Sequence, residues 1–94
     1  MKKYLAIETF YPGCLEEAYH RFHQSGRMLP DGLHFIESWL AQDGSRCFQL
    51  METDQPELFE SWMACWNDLV DFEIVELGDK PQAQKSNPEP ETES

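Results

Sequence analysis

The 94-residue sequence predicts one small α+β domain with the element order β-α-β-β-α-β, and three observations carry that prediction. Runs rich in β-branched and aromatic residues lie at the start, the middle and the end of residues 1–77. Two segments between them place apolar residues on one face at helical spacing. The breaks that separate these segments consist of proline, glycine and aspartate, each with defined turn chemistry.

Residues 3–10, KYLAIETF, read as the first strand, closed by Pro12 and Gly13. A helix over 14–25 follows, with Leu15, Ala18, Tyr19 and Phe22 on one face. Glu16 and Glu17 occupy its first turn, where the helix dipole favours acids, and Gly26 supplies a left-handed C-terminal residue. The connector 27–32, RMLPDG, holds two chain breakers. Residues 33–42 and 46–53 read as strands joined by Asp43-Gly44, a hairpin turn pair. Asp54, Pro56 and Glu57 resemble a capping box, which predicts a second helix running to about Asn67. Residues 71–77, DFEIVEL, form the last strand. Right-handed crossovers then give the ferredoxin-like arrangement, a four-stranded antiparallel sheet with both helices on one face.

After Leu77 the composition changes to GDKPQAQKSNPEPETES, which has no large apolar side chain, so 78–94 is expected to be a disordered acidic tail. The three cysteines leave one unpaired under any scheme, and none is spaced as CxxC. No apolar run has the length of a signal-peptide core or a membrane span, so a cytoplasmic protein is expected. The net charge is −11, with fourteen acidic and five basic residues within 1–77. A surface this acidic argues against nucleic acid and anionic membranes as partners.

A domain of this size buries only about 60% of its unfolded surface, so self-association is an expected support. Strand alternation divides the side chains into two sets. Leu5, Ile7, Ile36, Leu40, Phe48 and Leu50 are assigned to the helix-covered core. Tyr4, Phe10, Phe35, Trp39 and Met51 are assigned to the bare face, where so large an apolar patch predicts a homodimer packed sheet to sheet. A register error of one residue would exchange the two sets.

The second helix carries Leu58, Phe59, Trp62, Met63, Cys65, Trp66 and Leu69, a wider apolar arc than an ordinary surface helix needs. A large aromatic core, a cavity between helix and sheet lined by Trp62 and Trp66, or contact with a partner chain accounts for it. Arg27, beside the constrained connector, is the best candidate for holding an anionic ligand, with Arg46 as a helper, and the reading set against it is an intramolecular salt bridge in a chain with eighteen acids. His34 and Glu37 are candidate proton-transfer residues, since a near-neutral imidazole or a carboxylate in apolar surroundings can act as acid or base. Glu8 falls with Glu37 on the aromatic strand face, and both carboxylates have two readings, an acid or base in apolar surroundings or a rim residue of the expected interface paired with Arg46 or a lysine. Glu16, His20 and His23 share a helix flank but lack the ligand count of a metal site. No phosphate loop, nucleotide fingerprint or nucleophile elbow is present, and no metal or cofactor is expected.

The segments GRMLPDGLHFIESWL, RCFQLMETD and WNDLVDFEIVEL, with IETF near the start, resemble a bacterial family known as domain of unknown function 3303. The resemblance covers nearly all of 1–77 and implies membership of the dimeric α+β barrel superfamily, whose ferredoxin-like chains pair through their sheets. That superfamily includes haem-degrading and quinone-forming monooxygenases, lactone isomerases and stress-related proteins. The haem-degrading type uses an asparagine, a tryptophan and a histidine. Here the second helix has Trp62 and Trp66 but no histidine, and the first strand has no asparagine. Two functions therefore stand beside each other: a homodimer binding a small aromatic or anionic molecule, including a cofactor-free enzyme of monooxygenase or isomerase type, and a non-catalytic dimeric interaction module.

Overall fold

The computed structural model describes residues 1–81, and the larger part of the expected tail lies outside the described residues. Its elements are β1 (Lys2–Phe10), α1 (Leu15–Ser25), β2 (His34–Leu40), β3 (Arg46–Thr53), α2 (Leu58–Ala64) and β4 (Val70–Leu77). The strands form one sheet in the order β2-β3-β1-β4, antiparallel throughout. This is the ferredoxin-like α+β fold that the segment order predicts.

Local chemistry explains most boundaries. Gly26 ends α1 with φ 67° and ψ −157°, a positive-φ conformation open to glycine though not the left-handed helical one expected, and its N–H donates to the Phe22 carbonyl. The β2–β3 turn is held by the Asp43 carboxylate, which accepts from the Ser45 N–H and hydroxyl, with Gly44 at φ 76°. The start of α2 differs from the expected capping box. Thr53 rather than Asp54 accepts the Gln55 N–H (3.0 Å), and the Thr53 hydroxyl donates to the Gly32 carbonyl (2.6 Å). A buried hydroxyl satisfied in both directions holds the chain more firmly than an exposed aspartate, which here sits 3.9 Å from the N-terminal amine. The α-helix proper ends at Ala64, and the chain continues in tight turns to Leu69.

The sheet faces are the reverse of those expected. Tyr4, Ala6 and Glu8 of β1 pair with Met51, Gln49 and Cys47 of β3, and this set lies beneath the helices. Tyr4 meets the Phe59 ring edge-on at 5.2 Å, Phe59 packs on Trp62, and Trp62 packs on Phe72 at 5.2 Å. Of the five residues assigned to a sheet-to-sheet interface, Tyr4 and Met51 are core, and Phe10 packs against that core. Phe35 opposes Met51 and so shares the covered side. Trp39, opposite Phe48, is the one that remains on the bare face. A β-bulge between Phe35 and Glu37 causes the split within β2, because one extra residue inverts the alternation beyond it.

The bare face is nonetheless apolar. Leu5, Ile7, Phe48, Leu50 and Val75 are half-buried there, and Trp39 is 49% exposed. Both sheet faces thus carry large apolar side chains, and among the described residues only one is covered.

Candidate functional site

The two helices cover the sheet unequally. α2 and the turns after it bury Phe59, Trp62, Trp66 and Leu69. α1 buries Ala18 alone, and Tyr19 and Phe22 of its apolar face stay 45% and 38% exposed. Because α1 stands off the sheet, a half-enclosed cavity of about 180 Å³ remains between it, the α1–β2 connector and the strands. Its walls are aromatic, with Phe10, Tyr19, Phe22, Trp62 and Trp66. Its polar lining is Glu8, Arg27, Ser38, Cys47 and Gln49.

Arg27 enters this space from the connector and is fixed at both ends. Its backbone carbonyl accepts the indole N–H of Trp62 and that of Trp66, each at 3.0 Å. Two buried donors are satisfied on one acceptor, which locks the connector to α2. Met28, immediately after, has φ 58°, an uncommon conformation for a residue with a side chain. The guanidinium carbon lies over the Phe35 ring, 3.6 Å from its centroid, with the Phe22 centroid at 5.1 Å. Nε donates to Gln49 Oε1 (3.1 Å) and Nη2 to Ser38 Oγ (3.3 Å). Among the described residues Nη1 has no protein acceptor and Arg27 forms no ion pair, unlike Lys2, Lys3 and Arg21. In so acidic a chain, a half-buried guanidinium without a carboxylate partner is the site's most distinctive charge.

Glu8 faces Arg27 across Gln49. Gln49 Nε2 donates to Glu8 Oε2 at 2.6 Å, while its Oε1 accepts from Arg27, so the carboxamide orientation is set by its neighbours. Glu8 is 7% exposed. Burial pushes its carboxyl up to about 7, against a smaller downward pull from the Gln49 hydrogen bond and the Arg27 charge. Since Oε2 must accept from Gln49, the proton of neutral Glu8 belongs on Oε1. The cross-strand neighbour Cys47 is pushed up to about 11 by burial and by the adjacent Glu8 charge, so its thiol stays protonated near neutrality.

The chain matches a family model described as a domain of unknown function (DUF3303) over residues 2–86. It belongs to that family. No curated protein matches it.

Within this DUF3303 domain, the expected ligand-binding residues divide. Arg27, Trp62 and Trp66 come together in the cavity. Arg46 does not, lying exposed beyond it, 5.3 Å from the Phe48 ring. The proposed proton-transfer pair is also displaced: His34 opposes Glu52 and Glu37 opposes Leu50, both exposed on the sheet face away from the helices. Glu8 takes the position that those residues were expected to fill. The sequence held a signal for it, a lone carboxylate alternating with Tyr4, Ala6 and Phe10, whose meaning changes once that face is the covered one. Gln49, Ser38 and Cys47 carried no comparable signal. Among the described residues, no group of three His, Cys, Asp or Glu side chains is placed to hold a metal ion, and no helix is long and apolar enough to cross a membrane.

Proposed function

We propose that this chain is a homodimeric small-molecule-binding protein whose cavity receives a compound of one-ring size carrying an anionic or hydrogen-bonding group. The observation that carries this reading is the unpaired edge of Arg27 inside an aromatic-walled space of about 180 Å³. An apolar cavity of about 150 Å³ holds benzene, so the volume suits one ring with a small substituent. A few converging polar groups in apolar walls are the usual composition of a ligand pocket. Glu8 is the group positioned to exchange a proton with such a ligand, which makes cofactor-free proton-transfer chemistry the enzymatic form of the proposal.

Trp62 and Trp66 provide the assay, because both line the cavity. Titration with phenol, benzoate and benzoquinone is expected to change tryptophan emission saturably and raise the melting temperature. No response to any one-ring compound, in fluorescence or in melting, would reject ligand binding.

A second reading, the non-catalytic interaction module, is favoured by the bare sheet face with Leu5, Ile7, Phe48, Leu50 and Trp39. An exposed patch of this kind normally marks an interface, and a second copy of the same face is the occupant we propose under either reading. Sedimentation at micromolar concentration showing only an 11.0 kDa species would reject self-association.

A further inference from the structure

We propose that the cavity takes its ligand as a one-ring aromatic carboxylate together with a proton, the carboxylate docking on Arg27 while Glu8 is held neutral. This rests on the small-molecule reading above and names its ligand class and its pH control.

The inference follows from charge balance within one small, partly desolvated space. Among the described residues, Arg27 is the only cation lining it, and Glu8 the only carboxylate. The two are separated by Gln49 and make no direct ion pair. Ionised Glu8 already balances Arg27 through that bridge. A ligand carboxylate on the free Nη1 edge then adds a second buried anion against a single guanidinium. A buried charge without its own partner is expensive, so the favoured bound state keeps one anion only. The ligand supplies that anion, and Glu8 gives up its charge by binding a proton on Oε1, the oxygen that Gln49 does not engage. The carboxyl pushed up to about 7 means that this proton is available near neutrality.

Among the described residues, the other ionisable groups lining the cavity are Cys47 on β3 and Tyr19 on α1, while α2, the turns after it and β4 contribute Trp62, Trp66 and Val70. Cys47, raised to about 11, contributes no charge in the range concerned. A neutral one-ring compound makes no claim on Arg27 and is indifferent to the state of Glu8.

The test is calorimetric titration of the full chain with benzoate and with benzyl alcohol at about pH 6 and about pH 8.5, in phosphate and in Tris. Benzoate stays ionised throughout, so ligand titration does not enter. Benzoate affinity is expected to fall about 30-fold between the two values, because each decade above the Glu8 midpoint costs about tenfold. At the higher pH the difference in heat between the buffers should report close to one proton taken up. Benzyl alcohol should bind equally at both. Glu8→Gln, which keeps the acceptor for Gln49, should bind benzoate without pH dependence or proton uptake. If both probes bind the native protein but benzoate binding is flat with pH, the inference is overturned while the small-molecule reading stands. Persistence of the pH dependence in Glu8→Gln overturns it as well, by moving the proton elsewhere. Failure of both probes to bind at either pH removes the small-molecule reading and this inference with it.

Discussion

Glu8→Gln offers a test of the site that needs no ligand. In the unfolded chain this carboxyl titrates near 4.5, and in the folded protein burial holds it at about 7. Between those values the native state keeps a proton that the unfolded state has released, so stability falls as pH rises through this window and levels off above it. At about 1.4 kcal/mol per decade, the full interval amounts to about 3 kcal/mol, and the 7% residual exposure of Glu8 leaves little solvent screening to reduce it. The glutamine variant preserves shape and the hydrogen bond from Gln49 but cannot ionise. Native and variant proteins should therefore have similar urea midpoints at about pH 4, and at about pH 8.5 the variant should be more stable by up to about 3 kcal/mol. With a urea slope near 1 kcal/mol/M for a small domain, the midpoints would separate by about 2–3 M. Taking the difference between the two proteins cancels the titration of the other acids. Curves that remain superimposed at high pH would refute the claim that Glu8 is desolvated in the fold.

Three further outcomes follow from the same geometry. Arg27→Leu should lower benzoate affinity by about tenfold to a hundredfold while sparing benzyl alcohol, because charge-assisted hydrogen bonds contribute about 1.5–3 kcal/mol, and calorimetry with both probes reads the difference. Trp62→Ala removes a side chain 1% exposed and one donor to the Arg27 carbonyl, and urea denaturation should show a loss of about 3–5 kcal/mol. Leu50→Asp places a charge on the bare sheet face, opposite Glu37 and Leu5, and should shift sedimentation to an 11.0 kDa species while leaving the far-ultraviolet dichroism unchanged.

The segment order was legible because its signals are local. Gly26, the Asp43-Gly44 turn and the apolar spacing of the two helices are each decided within a few residues, and the structure has the strands and helices in those places. The choice of face was not local. Tyr4, Ala6 and Glu8 alternate with Leu5, Ile7 and Thr9, and both sets are apolar enough to be core. What decides is shape: the covered side accommodates the rings of Phe59 and Trp62 above Tyr4, Ala6 and Met51, a fit that hydrophobicity alone does not express. The bulge after Phe35 leaves no mark in composition and inverts the rest of β2, which removed Glu37 from the site and brought Ser38 into it. Arg27 stood out in the sequence through its scarcity and its neighbours, and the structure has it lining the cavity. Gln49 was not, because an amide in a strand acquires its role only from the groups on either side.

The three buried polar residues of the sheet differ in a way that separates scaffold from site. Thr53 is completely satisfied by Gly32 and Gln55, and its hydroxyl closes the base of α2. Glu8 and Gln49 belong to a chain that ends on an unpaired edge of Arg27, so the network is complete at one end only. A partly satisfied buried network lowers stability relative to an apolar core. In a small domain with a narrow stability margin, Leu or Met at these two strand positions would carry no unsatisfied polar group into the core. Glu8, Gln49 and Arg27, the members of that chain, all face the space that α1 leaves open. Incomplete pairing and incomplete covering thus coincide at one place, and a ligand that supplies an anion and an aromatic ring would complete both.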